Sequence, residues 1–177
     1  MCIRDSSSAR ETTMRVALGT VCRKLLEEVG VYVGSHVTQI HHVKNTISYD
    51  SSISPVELNK KADASPVRCL DKKAEEKMIK IIDDAKSAGD SVGGIFEVIA
   101  TGLPYGLGSP MQWDRKLQAK ITSMMMSVNA FKGIDIGGGM NESEKWGSEV
   151  HDEIGWEKNK YIRSVSYTHL TLPTTPY

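Results

Sequence analysis

Apolar residues recur at three- and four-residue intervals from Met14 through Ala17 and Val21 to Leu25, the spacing of one helix face. Just upstream, Ser8-Ala9-Arg10-Glu11 has the form of a capping box. In that arrangement the serine hydroxyl accepts from the third helical N–H, and the glutamate carboxylate accepts from the serine's own N–H. The pattern predicts a helix from Ala9 to about Val29, with Gly30 as its stop and Cys22 in the core beside the apolar face. From Val31 to Val43 the β-branched residues Val31, Val33 and Val37 alternate, which predicts a strand. Residues 45–66, rich in Ser and Asn, form a connection with a short helix near Pro55 to Lys61.

Asp71 has the chemistry of an N-cap. The helix it opens buries Ala74, Met78, Ile82 and Ala85, sets lysines and carboxylates opposite, and ends before Gly89. VGGIFEVIAT, Val92 to Thr101, reads as a strand whose paired Gly93 and Gly94 mark a bulge or a close approach by another group. Ser109-Pro110-Met111-Gln112 supplies a third start signal for a helix carrying Trp113, Leu117, Ile121 and Met124 and ending near Val128. Phe131 to Ile136 reads as a short strand, the chain past Asn141 as a polar loop, and the region around Tyr161 as a last strand. Helices alternating with strands suggest a parallel α/β arrangement, although periodicity leaves the direction of the sheet open.

Composition narrows the function classes. The 177 residues are 40% hydrophobic and 25% charged, which suits an ordinary globular domain rather than a disordered chain. Twenty-two basic residues balance twenty-two acidic ones, so the footprint of a nucleic-acid binder or a polybasic membrane anchor is missing. No apolar stretch approaches the ~20 residues of a membrane span and no secretory signal is evident, so a cytoplasmic chain is expected. Cys2, Cys22 and Cys69 lack paired spacing and read as reduced thiols. The segment from Ser164 to Tyr177 has four threonines, two prolines and no charged residue. Together with MCIRDS at the start, SYTHLTLPTTPY resembles a translated adapter or cloning remnant, so residues 1–6 and 165–177 are set apart and 7–164 is read as native.

Arg10, at the second position of the predicted first helix, is a cation where the helix dipole disfavours one. With Ser7, Ser8 and the free N–H groups at that end, it forms a candidate anion site; the bland alternative is a solvated arginine paired through Glu11 or a distant carboxylate. His36 and His42 share a strand face while His41 points away, so these histidines do not converge on a metal, and His151-Asp152-Glu153 reads as an exposed loop. Met124-Met125-Met126 reads as helix core. Gly137-Gly138-Gly139 lacks the spacing of a nucleotide fingerprint and reads as a tight turn.

SARETTMRVALGTV (Ser8 to Val21), SPVRCLD (Ser65 to Asp71), GDSVGGIFEVIATGLPYGLGSPMQWDRKL (Gly89 to Leu117), MSVNAFKGIDIG (Met126 to Gly137) and GSEVHDEI (Gly147 to Ile154) closely resemble chorismate synthase, in order and over nearly all of residues 7–164. The resemblance implies an α+β fold, a fragment of a β-α-α-β sandwich with antiparallel sheets packed around helices, in place of the parallel arrangement. It implies a homotetrameric lyase of the shikimate pathway. That enzyme converts 5-enolpyruvylshikimate 3-phosphate to chorismate by 1,4-elimination of phosphate and depends on reduced FMN. It places substrate binding on Arg10 and flavin binding on Ser7, Ser8, Asn129 and Ala130.

The departures from the family pattern carry weight too. The family arginine before the two serines falls on Ser6. Both family catalytic histidines belong to motifs upstream of S-A-R-E-T, one of them G-x-S-H-G, which this sequence does not contain, and the R-S-D signature with its basic aspartate is also missing. His36, His41, His42 and His151 do not match catalytic positions, so no catalytic residue is assigned. The chain is therefore expected to be the middle of the enzyme and inactive alone. The alternative is a small anion-binding or oligomerisation module without catalysis.

Overall fold

The computed structural model describes residues 3–47, 49–50, 52–104, 107–109, 111–150, 154–157 and 160–163, with side chains in the first helix from Arg10 onward. Two compact units emerge. Residues 32–101 form one, and the segments on either side of them form the other. Every ladder among the described residues is antiparallel, and the class is α+β.

In the 32–101 unit, β1 (Tyr32–Ile40) is the centre of a three-stranded sheet between β2 (Val43–Lys44) and β3 (Gly94–Thr101). The single strand predicted over Val31 to Val43 is therefore a hairpin: His41 takes φ +52° and turns the chain after Ile40. Between the strands run α2 (Pro55–Asp63), capped by the Ser54 hydroxyl accepting from the Glu57 N–H, and α3 (Lys72–Ala88). The Asp71 carboxylate accepts from the N–H groups of Lys73 and Ala74, as its position predicted. At the far end of α3, Gly89 sits at φ +69°, its N–H reaching Lys86 while the Asp90 N–H reaches Ala85. This is the Schellman arrangement that only a residue tolerant of positive φ closes cheaply.

The helices pack on the two faces of the sheet, and one irregularity in β1 sets which residues each face presents. Gly34 and His36 lie opposite Ile99 and Glu97, whereas Val37 lies opposite Phe96, and an extra residue at Thr38 keeps Ile40 on Val37's face. α2 covers the Gly34 face so closely that a Cβ on Gly34 would stand 2.8 Å from the Pro55 carbonyl oxygen. Leu58 and Ala62, one turn apart on α2, are fully buried there. On the other face Cys69, Ala74 and Met78 form a cluster against Val37, Ile40, Val43 and Val67. The predicted Gly93-Gly94 feature is a close approach: a Cβ on Gly94 would meet the Gln39 carbonyl at 2.8 Å.

Side chains from α2 and from the segment after it meet the edge of β1 that β2 leaves uncovered. There Asn59 donates from Nδ2 to the Val33 carbonyl (2.9 Å) and accepts at Oδ1 from the Ser35 N–H (3.1 Å). Arg68 donates to the Ser35 carbonyl (2.9 Å), and its own carbonyl accepts from the Val37 N–H. Arg68 holds φ +55° and is paired with Asp63. Two side chains thus occupy positions that a neighbouring strand would otherwise fill.

In the other unit, α1 spans Ile3–Glu28. It starts six residues before the predicted Ala9, so Ser8 is an interior helical residue and the capping box does not form. Nothing in Ile3 to Ser7 is Gly or Pro, and a helix propagates through such residues at little cost. The C-terminal stop is as expected, with Gly30 at φ +81° and the Val31 N–H bonded to the Leu26 carbonyl. The predicted buried face is not buried: Met14, Val21 and Leu25 are about 70% exposed, and Ala17 and Cys22 are exposed too. Val16 and Leu18 put apolar groups on other sides of the same helix, and no described element packs along it.

Downstream, Trp113–Arg115 is a turn of 3-10 helix and α4 covers only Leu117–Met126. The predicted helix is interrupted because Lys116 is extended (ψ 132°). The Ser109 hydroxyl accepts weakly from the Met111 N–H, at 3.4 Å, and no helix begins there. Trp113, Met124 and Met126 are exposed, against the core assignment of the methionine run. Phe131 to Ile136 pairs with no described strand. Gly137 and Gly139, both at positive φ, make the expected turn into a 3-10 segment, Gly139–Glu144. A short α5 (Gly147–Val150) and a hairpin of β4 (Ile154–Glu157) and β5 (Lys160–Arg163) replace the predicted polar loop and confirm a last strand at Tyr161. His151, Asp152 and Glu153 lie outside the described residues.

Candidate functional site

The early start of α1 changes the physical case for an anion site. Free N–H groups belong to the first four residues of a helix, and Ser7 to Arg10 lie beyond them. The helix end therefore contributes no donors at Ser8. What the helix does supply is spacing, since positions 7, 10 and 11 share a face. Arg10 is exposed there, and the side chains of Ser7 and Ser8 lie outside the described residues.

Glu11 organises the surroundings. Its Oε1 accepts from Arg15 Nη2 (2.7 Å) and Nε (3.1 Å), one turn along α1. Its Oε2 accepts from Asn129 Nδ2 at 3.1 Å, 118 residues away in sequence. Arg15 donates its remaining Nη1 to the Ser127 hydroxyl (2.8 Å), which donates onward to the Met124 carbonyl (2.6 Å). The Arg15 and Asn129 hydrogen bonds, with the charge of Arg15, hold the Glu11 carboxyl below its usual range. The chain leaving α4 is thus tied to α1 at two points, and Ala130 follows at φ +72°. A carboxylate, an arginine, an amide and exposed backbone in a left-handed turn meet within one unit. Such a surface can bind a polar ring edge or an anion.

The structure therefore brings Asn129 and Ala130 beside the segment that follows Ser7, Ser8 and Arg10. Arg15 and Ser127 escaped the reading of the residues, and Glu11 was read as a capping carboxylate or a partner of Arg10 rather than of Asn129. Glu11 to Arg15 has the i, i+4 spacing of an ion pair, which was visible, but no local pattern announces the link to Asn129.

A family model described as "Chorismate synthase" matches residues 2–168. The chain belongs to the chorismate synthase family. "Chorismate synthase 1" of Bacillus cereus is 53% identical over 162 residues, covering 91% of this chain and 41% of its own length. "Chorismate synthase" of Listeria welshimeri is 51% identical over 156 residues, covering 88% of this chain and 40% of its own. A solved structure titled "Crystal Structure of Chorismate Synthase" matches with a TM-score of 0.80 and 41% identity over 91% of this chain and 50% of the other. The chain spans about two fifths of the length of these curated chorismate synthase relatives.

Three histidines of this chorismate synthase family member, His36, His41 and His42, belong to the 32–101 unit. His41 and His42 form the hairpin turn, Nδ1 to Nδ1 at 2.6 Å. His36 is 1% exposed, with no hydrogen-bond partner for either ring nitrogen; its Nε2 stands 3.5 Å from Glu97 Oε2. Burial, with a smaller contribution from Arg68, pushes the His36 imidazole below its ordinary value, and burial raises Glu97. Among the described residues no three metal-ligating side chains converge, and no helix is long and apolar enough to cross a membrane.

A pH dependence follows. His36 binds its proton less readily folded than unfolded, so stability falls as pH drops through the unfolded value near 6.5 toward the lower folded one. The slope reaches at most about 1.4 kcal/mol per pH unit for a single proton. Glu97 acts oppositely: its contribution is present below 4.5 and is lost as pH rises through its raised folded value. Urea denaturation at pH 7.5 and 5.5 should show the acid loss in the parent chain and a smaller one in His36→Leu. An equal loss in both would assign it to another group.

Proposed function

We propose that this chain carries part of the flavin and substrate site of a chorismate synthase. That enzyme is the lyase that eliminates phosphate from 5-enolpyruvylshikimate 3-phosphate to give chorismate, and it works as a homotetramer. The observation that carries the reading is the Glu11 to Asn129 hydrogen bond, which sets the two segments assigned to flavin side by side. The residues suit such a group: Asn129 is exposed and has its amide nitrogen engaged by Glu11, so its oxygen is directed as an acceptor. Ser7, Ser8, Asn129 and Ala130 would hold FMN, and Arg10 the anionic substrate.

Reduced flavin, when bound, supplies electron density to the ring as the bond to phosphate breaks, with no net redox change. The protein's part is electrostatic and positional. Arg10 would offer a guanidinium to an anion, and a planar fork of N–H donors needs little reorganisation as negative charge gathers on the departing phosphate.

The test is Arg10→Ala in a chorismate synthase of full family length carrying this segment. Loss of one charge-assisted contact, about 1.5–3 kcal/mol, is expected to weaken 5-enolpyruvylshikimate 3-phosphate binding about 10- to 100-fold and leave FMN affinity in place. Unchanged affinity for the ester would favour an anion-binding or oligomerisation module without catalysis.

A further inference from the structure

We infer that Glu11 is a positioning residue for the flavin site: it sets the orientation of the Asn129 amide, and Arg15 fixes Glu11 in turn. This rests on the reading of Asn129 as a flavin contact. An asparagine side chain has a donor end and an acceptor end that are nearly identical in shape, so either can face a ligand unless a neighbour decides. An ionised carboxylate only accepts, and Glu11 Oε2 lies 3.1 Å from Asn129 Nδ2. The amide nitrogen is thereby turned to α1, and the amide oxygen is left for the cofactor.

The two carboxylate oxygens divide the work. Oε1 takes both Arg15 donors and Oε2 takes Asn129, so the carboxylate cannot rotate without breaking one side. Arg15 also reaches Ser127 through Nη1, two residues before Asn129, and ties down the same turn. These groups are exposed, and exposed ion pairs contribute little to folding stability. What the network controls is therefore the placement of Asn129 and of Ala130 beside it, which holds φ +72°.

The experiment is a double-mutant cycle in the full-length enzyme, reading the Kd for FMN and the thermal midpoint for Glu11→Ala, Asn129→Ala and the pair, with Glu11→Gln as a second variant. Glu11→Ala is expected to weaken FMN about 10-fold in the parent and by less than 2-fold in the Asn129→Ala background, with the midpoint unchanged. Should Glu11→Ala fold poorly, Glu11→Gln serves in the same cycle, because it removes the charge and sets an amide against Asn129. An equal loss in both backgrounds overturns the inference, since Glu11 then acts independently of Asn129. If Asn129→Ala weakens FMN and neither Glu11 variant does, positioning by Glu11 is refuted while the flavin reading stands. If Asn129→Ala leaves FMN affinity unchanged, the reading and the inference fall together.

Discussion

Gly102→Ala is expected to destabilise the chain by about 3 kcal/mol or more. The size comes from two effects that act on the same atom. Gly102 holds φ +78°, where an L side chain is strained by about 1–2 kcal/mol. A Cβ there would also run into the Gly30 carbonyl oxygen and come within 3.5 Å of the Val31 Cα. The obstacle is backbone on both counts, so no rotamer relieves it, and forcing extra atoms into such a place costs typically ~1–3 kcal/mol more. Two controls separate the effects. Gly30→Ala meets the strain alone, since φ is +81° and nothing lies within 4 Å, and Gly133→Ala meets neither. Urea midpoints should fall in the order Gly133→Ala, Gly30→Ala, Gly102→Ala, from least to most damaging. A Gly102 variant no worse than the Gly30 variant would show that the two chain segments separate freely.

Leu58→Ala should cost about 3 kcal/mol, within the ~2–5 kcal/mol measured for buried leucines elsewhere. Leu58 is 1% exposed, with Ala62 beside it at 0%, and α2 is held to the sheet by the narrow approach of Pro55 to Gly34, so collapse around the cavity is limited. A unit of about 70 residues has on the order of 3.5–10 kcal/mol of stability in all. The substitution therefore removes a large part of it, read as a lower denaturation midpoint. Val56→Ala, two residues earlier in α2 and 42% exposed, should change the midpoint by less than about 1 kcal/mol. Equal effects at the two positions would mean that α2 does not use Leu58 as its anchor.

The parts of the fold that were legible in the residues are those decided locally. Asp71 and Gly89 bound α3 because an N-cap carboxylate and a left-handed C-terminal residue act within a few bonds of the helix they delimit. The same holds for Gly30, for Pro55 at the start of α2, and for the turn at Gly137. Burial was legible on α3, where Ala74 and Met78 meet Val37, Ile40 and Val43, but not on α1. The α1 periodicity has the form of a core-facing helix, yet Met14, Val21 and Leu25 are exposed, because a stripe of apolar residues states a preference without supplying the surface that meets it. The histidine turn and the extra residue at Thr38 were hidden for a different reason. Both lie inside a continuous run of strand-forming residues, and only pairing with β3 settles where such a run bends. The sheet's direction depended on that pairing as well.

The site shows the same division. Arg10 stood out for a local reason, a cation near a predicted helix start, and that reason failed when α1 proved to begin at Ile3. Its assignment now rests on the family resemblance. Asn129 and Ala130 carry no local signal at all. The tie of Asn129 to Glu11 spans 118 residues and follows from tertiary structure alone.

Asn59 and Arg68 close one edge of the three-stranded sheet. On their side the backbone groups of Val33, Ser35 and Val37 are already engaged, and a partner chain seeking to extend the sheet there would first have to dislodge an asparagine and an arginine. Side chains rather than another strand thus close that flank to recruitment.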